Sequence, residues 1–95
     1  MKNLIKIAKK IEYLNIKYDE DLSIGFQPVG RKNYEVFLDD ECSIKANCDY
    51  IISLEKDGRI KNNFKDIISK ELKKLIDDKT IVGFRFRNPI EIYFN

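Results

Sequence analysis

The sequence predicts an α+β domain, a two-layer sandwich in the order αβββαββ, with a mainly antiparallel sheet and two helices on one face. Three observations predict it. Two segments repeat apolar residues at helical spacing, the stretches between them alternate apolar and polar residues with a period of two, and turn residues separate the segments. No internal repeat, linker or low-complexity segment divides residues 1–95, so one domain is expected.

In the first segment Leu4, Ile7, Ala8, Ile11, Leu14 and Tyr18 fall on one helix face, with Lys6, Lys9, Lys10 and Lys17 opposite. Asn3 is the expected N-cap. From Leu22 the period changes. Leu22, Ile24 and Phe26 form a first strand, and Tyr34, Val36 and Leu38 a second, joined by a turn over Gln27-Pro28-Val29-Gly30. Pairing Phe26 with Tyr34 keeps the apolar residues on one face.

A third strand is the clearest signal: Ile44, Ala46, Cys48, Tyr50, Ile52 and Leu54 alternate with polar residues, and only Ile51 breaks the pattern. A loop over Asp39–Ser43 pairs Leu38 with Ile44, Val36 with Ala46 and Tyr34 with Cys48. Asp57-Gly58 ends the strand, and Asn63 with Asp66 has the form of a capping box opening the second helix. Its stripe is Phe64, Ile67, Ile68, Leu72, Leu75 and Ile76. Val82, Phe84 and Phe86, then Ile90, Ile92 and Phe94, read as two final strands around Asn88-Pro89, with Arg85 opposite Glu91.

Composition bounds the chemistry. With 43% hydrophobic and 36% charged residues, the chain is too apolar to be disordered and too charged to lie in a membrane. No apolar run approaches the roughly 20 residues of a spanning helix, and the lysines of the first segment interrupt any secretory signal. A cytoplasmic protein with no membrane partner is expected. The net charge of +2 is unevenly laid out: residues 1–18 and 58–95 are basic and 19–57 acidic, so a uniformly basic nucleic-acid surface is not encoded.

Histidine is absent, which removes Ser-His and Cys-His nucleophile systems and the common zinc sets. Cys42 and Cys48 are about 20 Å apart if they share a strand, beyond the ~7 Å between α-carbons that a disulfide tolerates. Asp39-Asp40-Glu41 lacks the ligand spacing of a calcium loop and reads as an acidic turn. The one Glu-x-Lys, Glu71-Leu72-Lys73, lies inside a helix rather than beside a strand-borne acid, and the four glycines are isolated. No catalytic residue, metal or cofactor is expected. The element order is also that of double-stranded-RNA-binding and SH2 domains, but Gln27-Pro28-Val29-Gly30 lacks the histidine of the former, and Glu35 and Phe37 stand where the latter needs an arginine.

With both helices on one sheet face, the other face is expected to present Glu35, Phe37, Ile51, Arg85 and Tyr93, with Arg87 beside them. Exposed aromatics and arginine in a cluster anchor interfaces. The reading is a non-enzymatic protein-binding module, an inhibitor or accessory protein of a phage or other mobile element. The alternative is a single-stranded nucleic-acid binder stacking bases on Phe37 and Tyr93 and holding phosphates with Arg85 and Arg87.

Overall fold

The computed structural model describes residues 1–39 and 41–95. The elements follow in the order α1 (Lys2–Tyr18), β1 (Ser23–Phe37), β2 (Ser43–Glu55), α2 (Asn62–Asp77), β3 (Gly83–Arg85) and β4 (Ile90–Phe94). This is the α+β fold expected, with two helices and an antiparallel four-stranded sheet.

Each helix buries the stripe its period marks. Ile7, Ile11 and Leu14 of α1 and Phe64, Ile68, Leu72 and Leu75 of α2 are buried. They pack on Ile52, Leu54, Ile92 and Phe94 of the sheet in one apolar cluster. The caps differ from expectation. Met1 caps α1, and the Asn3 side chain instead donates to the Asn95 carbonyl at 3.0 Å, tying the first helix to the last strand. Asn63 sits inside the first turn of α2, which begins one residue earlier after Lys61, so the expected capping box does not form.

The main correction concerns β1. The two strands expected on either side of Gln27-Pro28-Val29-Gly30 are one strand, and both halves pair with β2. Pro28 stands opposite Tyr50 and Lys32 opposite Cys48, so three residues of β1 face one of β2 in a bulge. Gly30 and Arg31 take the left-handed conformation there, with φ of 67° and 56°. The physical reason is the partner: β2 is one continuous strand of 13 residues, and a hairpin at residues 27–30 would leave half of its backbone groups unpaired. Beyond the bulge Val36 pairs with Ile44 and Tyr34 with Ala46, a slip of two residues from the expected register; Val36 and Cys48, expected against the helices, lie instead with Ile51 and Tyr93, and Phe37, expected on the open face, packs on the helix-side cluster.

A bulge bends its strand and increases local twist, and here it folds the outer arm of the hairpin over the sheet. Val36 and Cys48 from the arm join Ile51 and Tyr93, which point to the opposite side of the sheet from Ile52 and Ile92, in a second buried cluster edged by Val29, Tyr34, Ala46 and Val82. Phe37 pairs with Phe84, closing the sheet as a barrel in the order β1-β2-β4-β3. The closure needs Gly83: a Cβ there would lie 2.7 Å from Val36 Cγ2 and 2.8 Å from the Phe37 carbonyl oxygen. The helices cover the outside of this small barrel, and the second cluster fills its inside.

Between β3 and β4 the register is as expected, with Arg85 opposite Glu91, and the β3–β4 turn contains a cis Asn88–Pro89 peptide. The acidic turn is held by Asp39, whose carboxylate accepts the backbone N–H groups of Glu41 and Cys42 at 2.8 Å each; Asp40 lies outside the described residues. Cys42 is exposed and Cys48 buried, and neither is in a disulfide. No helix among the described residues is long and apolar enough to cross a membrane.

Candidate functional site

Closure of the barrel removes the open sheet face on which the expected site was drawn. Ile51 is 6% exposed and Tyr93 fully buried, because the folded-over arm covers them. Phe37 is half-buried with the Arg85 guanidinium 6.0 Å from its ring centroid, so neither aromatic offers a free ring face for stacking. Glu35 remains exposed, opposite Lys45 on the arm. Arg85 is half-buried and Arg87 exposed.

Arg87 alone among these borders a cleft. Leu54 pairs with Ile90, which brings the end of β2 and the start of β4 to one end of the barrel. The β2–α2 loop, the first turns of α2 and the β3–β4 turn therefore meet there. Between them lies a cleft of about 490 Å³, within the range of ligand sites. Its floor is apolar, made by Leu54, Ile60, Phe86 and Ile90. Phe86 stands edge-on to Phe84, with ring centroids 5.3 Å apart, which leaves part of its surface to the cleft.

The rim is basic. Arg59 and Lys65 form no ion pair among the described residues and, with Lys61, also line a smaller recess of about 260 Å³ beside the cleft. The first turn of α2 carries no acid, so the positive end of its dipole is uncompensated locally. Asp66 is the acidic member of the rim. Ser69 Oγ, lining the cleft, is shielded from solvent and has no hydrogen-bond partner among the described residues.

Two other cations are held in place. Lys56 pairs with Glu20, the side chains being 16% and 4% exposed; the hydrogen bond to Glu20 raises the Lys56 pKa against the opposing effect of burial. Arg87 Nε donates to Glu91 Oε1 at 2.6 Å, and the Tyr93 hydroxyl donates to the same oxygen at 2.9 Å. Burial first, and then the bond to Glu91, push the Tyr93 phenol up to about 12. The chain Tyr93–Glu91–Arg87 thus links the barrel interior to the cleft rim and fixes the guanidinium.

Sequence reasoning missed Arg59, Lys65, Ser69 and Phe86. The signal available was the basic run Arg59-Ile60-Lys61 after a turn, immediately before a helix; Phe86 was hidden by its place in an alternating pattern. Among the described residues no three His, Cys, Asp or Glu side chains converge on a point that could hold a metal. The arrangement can enclose an apolar group and neutralise negative charge around it. Comparison with protein-family models, curated proteins and solved structures finds no match to this chain.

Proposed function

We propose that the protein is a non-enzymatic protein-binding module, acting as a small inhibitor or accessory protein, that takes an acidic, apolar-tipped segment of its partner into the cleft at the β2–α2 end of the barrel. The observation that carries the reading is the apolar floor beside Arg59 and Lys65, two cations with no ion-pair partner among the described residues. Burial of one side chain on Ile60 and Phe86 supplies affinity, and the rim supplies orientation and a faster encounter. Lys56 and Arg87, already neutralised by Glu20 and Glu91, shape the rim and add little net attraction.

A single nucleic-acid strand fits less well. Such strands are bound along a track of successive stacking platforms, and here Tyr93 is buried, Phe37 is shielded by Arg85, and Phe86 alone edges into the cleft. Fluorescence polarisation with labelled peptides separates the two readings. A peptide alternating Asp with Leu and Phe binds wild type and is weakened at least tenfold by Arg59→Glu with Lys65→Glu, about 1.4 kcal/mol or more. Oligo(dT) and oligo(U) bind no more tightly than the ~10⁻⁴–10⁻⁶ M of non-specific association. Sub-micromolar oligonucleotide binding with a steep salt dependence, and no binding of acidic peptides, refutes the proposal.

A further inference from the structure

A second surface is the outer edge of β1, on the other side of Leu54 from the start of β4. The first half of β1 is hydrogen-bonded to β2 along one edge only; its other edge faces no strand among the described residues, because β1 meets β3 only at Phe37. Folded proteins guard such edges with charge, proline or cover, since a row of unpaired N–H and C=O groups is a template for another strand. The segment Leu22-Ser23-Ile24-Gly25-Phe26-Gln27 holds no charge and no proline. Its large apolar side chains are displayed instead: Ile24 is 39% and Phe26 41% exposed. Phe26 stacks on Tyr50 at 5.5 Å between centroids and approaches Phe94 at 6.3 Å, so the exposed ring is held in place from below.

From these observations we infer that the free edge of β1 pairs antiparallel with the same edge of a second copy of this chain, about a two-fold axis at Gly25. The sequence of the segment selects that occupant. About this axis Ile24 of each copy stands opposite Phe26 of the other and on the same face, so the two exposed apolar pairs cover one another. The flanks are of opposite charge: Asp19 and Asp21 precede the segment and Arg31 and Lys32 follow it. An antiparallel mate lays each acidic flank beside the other copy's basic flank, whereas a parallel one would set like against like. Gly25 has open space on its own side of the sheet, a Cβ there meeting nothing closer than Ser53 at 3.8 Å, so the axis is not crowded. Pro28, which lacks an N–H, ends the ladder at either side.

So short a ladder covers less than the ~1,200 Å² of a standard stable interface, which makes the dimer weak and concentration-dependent. Sedimentation velocity from roughly 10 μM to 1 mM, a range chosen to bracket weak association, tests it on the full chain. Wild type shifts from monomer to dimer across that range. Ile24→Lys weakens dimerisation at least tenfold while its circular dichroism and urea midpoint stay those of wild type, the side chain being exposed in the monomer. Asp19→Lys and Arg31→Glu, at positions that face each other about this axis, each weaken the dimer, and the double variant restores it, a rescue that non-specific aggregation does not give. A monomer at every concentration overturns the inference, as does a dimer indifferent to Ile24→Lys. None of the substituted residues lines the cleft, so peptide binding by these variants reports separately on the proposed function.

Discussion

Replacing Gly83 with alanine tests barrel closure at its tightest point. The added methyl would stand 2.7 Å from Val36 Cγ2, 2.8 Å from Val36 Cβ and 2.8 Å from the Phe37 carbonyl oxygen, against the ordinary 3.4–4 Å of such contacts. The Val36 side chain is fully buried in the inner cluster and has no space to withdraw into, and the carbonyl belongs to the residue that closes the barrel by pairing with Phe84. The strands must therefore separate. Overpacking of a well-packed core costs about 1–3 kcal/mol, and with backbone among the obstructing atoms the expectation is the upper end, about 3 kcal/mol. For a chain of this size that lowers the melting temperature by on the order of 12–24 °C. Gly25→Ala is the internal control. Its methyl makes ordinary contact with Ser53 at 3.8 Å, and lower entropy of the unfolded chain makes the change neutral or stabilising by up to ~1 kcal/mol. Thermal and urea unfolding of both variants by circular dichroism decides. If Gly83→Ala is as stable as Gly25→Ala, β1 does not close on β3 and the inner cluster is not sealed.

Ile51→Ser removes a buried apolar side chain and inserts a hydroxyl among apolar neighbours, and should cost about 3–5 kcal/mol, whereas Glu35→Ala, exposed on the arm, should stay within about 0.5 kcal/mol; equal urea midpoints would mean that the arm does not cover the sheet. Asp78 accepts hydrogen bonds from Lys6 at 2.8 Å and from the Thr80 hydroxyl and N–H at 2.5 and 3.0 Å, and the Lys6 bond first, then Thr80, lower its pKa from 3.8 to about 2. A depressed folded pKa stabilises fully above the unfolded value and is lost as pH falls through the folded one, so the stability difference between wild type and Asp78→Asn should be constant above about pH 5 and shrink between about pH 4 and 2; a difference that grows on acidification contradicts the assignment. In a thiol titration of the native protein Cys42 should react at once and Cys48, whose thiol is pushed up by burial and then by Asp49, only on unfolding; two fast equivalents would place Cys48 at the surface.

Helix stripes were legible because a period of 3.6 depends on local geometry alone, and the buried set of α2 could be read from spacing. The second core was written less plainly. Ile51 is the one break in the alternation of β2, and Tyr93 sits between Ile92 and Phe94; the two are paired across the sheet. Apolar residues on both parities of adjacent strands mean burial on both faces, and this pair, read as an exposed patch, marked the inside of the barrel. The bulge was not legible, since Gln27-Pro28-Val29-Gly30 suits a tight turn as well as an inserted loop. The choice was made by a remote partner, the length of β2, which local propensity does not contain.

The cleft has the same origin in topology. Arg59 and Lys65 lie more than 20 residues from Phe86 along the chain, and no motif joins them. They meet because β2 and β4 run antiparallel with Leu54 opposite Ile90, so the exit of one strand and the entry of the other share an end, and α2 starts from that end. The charge layout acquires meaning only there. The acidic middle of the chain supplies Glu20, which neutralises Lys56, and the basic last third supplies Arg59 and Lys65, which have no ion-pair partner among the described residues and lie beside the apolar floor. Under the proposed function, affinity for an acidic segment depends on two cations rather than on the net charge of +2. Its salt dependence should accordingly be shallow compared with that of a nucleic-acid binder neutralising many phosphates.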